Sequence, residues 1–160
     1  MSKFVERYGG IYEHSPWVAR EAETIAEGAV DAARLAEIMM DCVDNASTER
    51  QLELIRAHPD LAGRAQLAGE LTPESTDEQA SAGLDQCTAE EYERFQALNK
   101  AYWKRFDFPF IMAVRGSSRV EILDAFESRL RNEYELEFET ALQEIHKIAR
   151  LRLAAMEQSS

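Results

Sequence analysis

The chain has 160 residues, 45% of them hydrophobic, and a net charge of −12 at pH 7; this is core enough for one ordinary domain, and the acidic surface repels nucleic acid and anionic membranes. No apolar run reaches the roughly 18 residues that a membrane span needs, the opening MSKFVERYGG has no apolar stretch of the secretory type, and Cys42 and Cys87 are too few and too isolated for a disulfide scaffold or a zinc site. Few β-branched residues among abundant Ala, Leu, Glu, Arg and Gln favour helices, so the expectation is an all-α, single-domain, cytoplasmic protein over residues 1–160.

Helix punctuation recurs along the chain. Ser15-Pro16 reads as a hydroxyl cap followed by a proline in the first helical position, opening a helix to about Glu27. A second helix is expected from about Asp31 to Val43, with Ala33, Leu35, Ile38, Met39 and Cys42 at helical spacing, and a third from about Thr48 to Ala57 carrying Leu52, Leu54 and Ile55. Pro59 disfavours helical backbone at His58, so the third helix should end there, with Asp60 placed to cap a short helix through about Leu67. Of the three histidines, His14, His58 and His146, only His58 is read at such a forced break.

Ser75-x-x-Glu78 and Thr88-x-x-Glu91 both match the capping-box pattern, opening a helix to about Leu84 and a longer one over Ala89 to Phe106. The segment FDFPFIMAVRG, residues 106–116, is then nearly all apolar with an internal proline, and reads as a buried strand or an extended connector near 108–114. If extended and unpaired, its backbone amides need partners, and an amide-rich ligand is one candidate, which makes the segment a candidate site wall. Ser118-x-x-Glu121 caps a helix to about Leu130. Asn132 opens a last one with Leu136, Phe138, Leu142, Ile145, Ile148, Ala149 and Leu153 as its apolar stripe, and the closing MEQSS, 156–160, should fray. The sum is a bundle of about eight helices without internal repeats.

No Gly-rich phosphate loop, GxSxG, CxxC or HExxH is present. What remains is His58 at a break, Glu78 near a helix start and Arg115 at the end of the apolar run. Each has a structural alternative: a helix-terminal cap for His58, the capping-box partner of Ser75 for Glu78, and a solvated cation for Arg115.

Five segments taken together resemble the 2-oxo-4-hydroxy-4-carboxy-5-ureidoimidazoline (OHCU) decarboxylase family of urate and purine catabolism: GGIYEHSPWVA at 9–19, RAHPDLAG at 56–63, STDEQASAGLD at 75–85, FQALNKAYWKRFDFPFIMAVRG at 95–116 and EIHKIARLRL at 144–153. The resemblance implies a carbon–carbon lyase that converts OHCU to (S)-allantoin. It implies His58 as catalytic acid/base and Glu78 as its catalytic partner, with Pro59, Ser75, Gln79 and the run Phe110, Ile111, Met112, Ala113 and Val114 lining the substrate site and Arg115 as a substrate-side cation. The family often forms homodimers, and the C-terminal QSS lacks the Ser-Lys-Leu type of peroxisomal address.

The substrate so implied carries its carboxylate beside a ring C=N bond, an electron sink of its own, so no cofactor and no metal is expected. His58, with an ordinary pKa near 6.5, can exchange a proton with the substrate hydroxyl. Two rival readings remain at this point: an acidic helical interaction module without catalysis, and a hydrolase of a related ureido compound.

Overall fold

The computed structural model describes residues 2–26, 28, 30–63 and 70–159. Among the described residues there are eight α-helices and no strand: α1 (Lys3–Tyr8), α2 (Trp17–Ile25), α3 (Ala32–Asp44), α4 (Thr48–Arg56), α5 (Pro73–Ser81), α6 (Ala89–Phe106), α7 (Arg119–Arg129) and α8 (Tyr134–Ser159), with a 3₁₀ turn at Leu84–Gln86. The all-α expectation therefore holds. The short helix expected through about Leu67 falls largely outside the described residues.

The chain divides into two compact units, residues 1–58 with 142–160, and residues 59–141. In the first, α1 packs on α2 and α2 on α3. Its buried residues include Val18, Ala19 and Ala22 of α2, Leu35, Ile38, Met39 and Val43 of α3, Leu54 and Ile55 of α4, and Ile145, Ala149 and Leu153 of α8. In the second, the core is aromatic: Phe95, Tyr102, Phe106, Phe108, Phe110 and Phe126 are all buried. The Phe110 and Phe126 rings stack at 3.9 Å, and Tyr102 lies 4.6 Å from Phe106. Such pairs add roughly 0.5–1.5 kcal/mol beyond the area they bury.

Several local expectations meet a competing interaction. Ser15 does not cap α2; its hydroxyl donates to the Glu13 carbonyl, Pro16 takes the cap position without a side-chain bond, and the helix starts at Trp17. Ser75 does not open α5 either. Thr72 accepts from the Ser75 N–H, Pro73 supplies the pre-set first residue, and the helix begins one turn earlier than the Ser75-x-x-Glu78 spacing implies. Thr88/Glu91 and Ser118/Glu121 do form complete capping boxes on α6 and α7. Ala33 and Leu136 are exposed, not core-facing, and α8 runs from Tyr134 through Ser159 instead of fraying at Met156.

The apolar run is an extended connector bracketed by two left-handed residues, Asp107 (φ 60°) ending α6 and Gly116 (φ 87°) preceding α7. Phe108, Pro109, Phe110, Ile111 and Val114 are buried, while Met112 and Ala113 are half-buried.

Candidate active site

His58 sits one residue past the C-cap of α4, where its backbone N–H donates to the Ile55 carbonyl at 3.2 Å. The imidazole is 8% exposed, and its Nδ1 lies 3.1 Å from the Leu54 carbonyl oxygen. A carbonyl only accepts, so Nδ1 carries the proton and Nε2 holds a bare lone pair. Burial pushes the His58 pKa down to about 4, opposed by the bond to Leu54 and by the charge of Glu13, and assisted by Arg152 and His14. At neutral pH the ring is therefore a neutral base with a fixed tautomer. Because its donor already serves the helix end, the capping and proton-transfer readings of His58 use different ring nitrogens.

Two of the charges acting on His58, Glu13 and Arg152, form a buried pair that the sequence reading did not single out. Arg152 Nη2 donates to Glu13 Oε2 at 2.9 Å, with the two side chains only 5% and 2% exposed, and Arg152 Nη1 donates to the Gly10 carbonyl at 3.1 Å. A signal for Arg152 was present. It follows Ile145 and Ile148 at helical spacing, so a guanidinium interrupts an apolar stripe and must find a buried partner. His14, in a left-handed turn at φ 49°, is largely exposed beside Glu13.

In the second unit, Ser75 and Gln79 are buried on α5, and Glu78 is half-buried. With Thr72 as the cap, Glu78 lies inside α5 and is released from the capping role that its spacing to Ser75 implied. Gln79 bonds the loop that follows His58: its Oε1 accepts from the Ala62 N–H at 3.0 Å and its Nε2 donates to the Asp60 carbonyl at 3.2 Å. Pro59 is half-buried at the start of that loop. Gly63 closes it, where a Cβ would stand 2.7 Å from that of Asp60, so no larger residue fits without a shift.

The connector meets Arg129, which donates to the Ile111 carbonyl and lies over the Phe110 ring with its guanidinium carbon 4.4 Å from the centroid. Arg129 is held in turn by the fully buried Glu137 at 2.8 Å, which also accepts from Tyr102 at 2.6 Å. The Ile111 and Phe110 surroundings are thus fixed by side chains where a sheet would have used a neighbouring strand. Arg115 stands exposed in the turn after the run.

Comparisons with known proteins extend this picture. A sequence model described as OHCU decarboxylase matches residues 1–154. A 2-oxo-4-hydroxy-4-carboxy-5-ureidoimidazoline decarboxylase of Haloferax volcanii is 49% identical over 152 residues, spanning 94% of this chain and 87% of that protein. A crystal structure of OHCU decarboxylase in the presence of (S)-allantoin superposes with a TM-score of 0.76 at 26% identity, over 94% of this chain and 96% of that one. The crystal structure of (S)-allantoin synthase gives a TM-score of 0.75 at 36% identity; 94% of this chain is covered, but only 48% of the synthase chain.

Proposed function

The chain belongs to the OHCU decarboxylase family, and we propose that it converts OHCU to (S)-allantoin with His58 as its acid–base group. The observation that carries the reading is the His58 imidazole itself: buried, neutral, and tied through Nδ1 to Leu54, so that Nε2 is the basic atom.

In the reaction, the bond between the ring and the carboxylate breaks, and its electron pair forms a C=C bond to the ureido-bearing carbon. The pair of the ring C=N bond moves onto nitrogen, which takes up a proton. The hydroxyl then gives up its proton and the ureido-bearing carbon gains one, creating the stereocentre of the product. The electron sink is the substrate's own ring, so the protein's task is orientation and proton transfer. His58 Nε2 takes the hydroxyl proton. An anionic substrate beside the ring raises the imidazole pKa from its low resting value, so basicity rises when substrate is bound.

Glu78 serves the nitrogens and the protonated carbon, and thereby the chirality. Pro59, Ser75, Gln79 and the backbone of Phe110 to Val114 line the substrate, with Met112 and Ala113 the half-buried part of that wall. Arg115, being exposed, acts as a steering cation for an anionic substrate, a use that suits a molecule whose net charge of −12 otherwise repels it. The protein is further proposed to be cytoplasmic and homodimeric. No helix of the described residues is long and apolar enough to cross a membrane.

The test is a chirality-resolved assay of the purified chain on freshly made OHCU, with and without a metal chelator. Carbon dioxide release with formation of (S)-allantoin, undiminished by chelator, is expected. Urea or ammonia without carbon dioxide would identify a hydrolase, and the absence of any turnover an interaction module; loss in chelator restored by added metal would end the cofactor-free mechanism.

A further inference from the structure

Among the described residues, the loop directly after His58-Pro59 is held by side chains. In the second unit, Asn99 Nδ2 donates to the Leu61 carbonyl at 3.0 Å, Gln96 Nε2 to the Ala62 carbonyl at 2.6 Å, and Trp103 Nε1 to Asp60 Oδ1 at 3.0 Å. Gln79 adds its two bonds from α5, to Asp60 and Ala62. Gln96, Asn99 and Trp103 follow one another at intervals of three and four residues, so one face of α6 presents three donors to three consecutive residues.

What these bonds hold is an unusual conformation. Ala62 is fully buried with φ at +50°. An L-alanine disfavours the left-handed region, where its Cβ crowds the following carbonyl, and such a residue persists only where its surroundings over-determine it. Here both peptide groups of Ala62 are engaged: its N–H by Gln79 and its carbonyl by Gln96.

We propose that Gln96, Asn99 and Trp103 are positioning residues for the decarboxylation, holding residues 60–62 in the left-handed turn that fixes the backbone from which His58 is presented. The link is covalent. Pro59 has its φ locked by its ring, so few rotatable bonds separate the clamped loop from the imidazole, and slack at Ala62 is passed on to His58. A misplacement of about 1 Å at a reacting group can cost on the order of 10²-fold in rate. The proposal rests on His58 being the acid–base group.

The experiment compares Gln96→Leu and Trp103→Phe, each alone and each combined with Ala62→Gly, and Ala62→Gly by itself. Two readouts are taken: kcat on OHCU, and titration of the His58 imidazole by NMR. Each single clamp variant is expected to lose about tenfold or more in kcat with a smaller change in KM, while the His58 pKa climbs as its ring becomes hydrated. Glycine adopts the left-handed conformation without a steric penalty, so Ala62→Gly should return kcat and the titration most of the way to those of the Ala62→Gly protein. A merely structural role predicts the opposite, since glycine removes a buried methyl and adds chain entropy. Clamp variants with full kcat, or doubles no better than singles, overturn the proposal. If one clamp variant fails to fold, the other decides. Should the chain turn over no OHCU, the functional reading falls, and the titration still decides whether the clamp holds His58.

Discussion

His58 holds a hydrogen bond with Nδ1, and the proposed mechanism uses Nε2 for proton transfer, which makes the two roles separable by substitution. In His58→Asn the amide can still donate toward the Leu54 carbonyl. The helical circular-dichroism signal and the melting temperature should stay near those of the parent, while kcat falls by roughly 10²–10⁴-fold, as for other lost general acid–base groups. A protein that instead loses several degrees yet turns over normally at saturating substrate would make His58 a helix-end residue only. Arg115 behaves differently. It is exposed and followed by the left-handed Gly116, so Arg115→Ala should raise KM with little change in kcat, because a cation beside a carboxylate stabilises the ground state that decarboxylation discharges. A fall in kcat at constant KM would place the guanidinium in the transition state.

At the level of elements, α5 shows which signals the sequence carried and which it hid. The capping boxes of α6 and α7 and the connector were legible because each is written within a few consecutive residues. The start of α5 was misread because two local signals compete there. Thr72-Pro73 combines a cap with a pre-set first residue and prevails over Ser75-x-x-Glu78. His58 stood out in the sequence through its proline and Glu78 through its spacing to Ser75, while the catalytic roles proposed for them come from the family resemblance. The Glu13–Arg152 pair was not legible as a pair, because its members lie 139 residues apart and the contact exists only once α8 has packed. The corrected cap separates structure from chemistry on this one helix. Thr72→Ala should cost about 0.5–2 kcal/mol of stability with kcat unchanged. Glu78→Gln, inside the helix, should leave the melting temperature in place and lower kcat together with the enantiomeric excess of the allantoin formed. Equal loss of stability in both variants would return Glu78 to a structural role.

Across the whole molecule, acid acts through two buried histidines and a large surplus of carboxylates. His58 and His146 both have lowered pKa values, in each case chiefly because burial disfavours the charged ring; for His146 the bond to Asp44 opposes this. In the unfolded chain these rings take up protons near the ordinary value of about 6.5, whereas His58 in the folded protein does so only near pH 4. Between those values the unfolded state binds more protons, so stability rises with pH and falls as the solution is acidified. For His58 alone the difference between pH 7 and pH 5 is about 2 kcal/mol. Surface charge works the other way: with a net charge of −12 and a pI near 4.7, self-repulsion fades over the same interval and favours the compact state. Urea unfolding at the two pH values resolves the two effects when His58→Asn is measured beside the parent. The parent should lose about 2 kcal/mol more than the variant on going from pH 7 to pH 5. Parallel losses in the two proteins would mean that the His58 ring takes up its proton as readily folded as unfolded, and that the neutral, Nε2-basic imidazole is not its resting form.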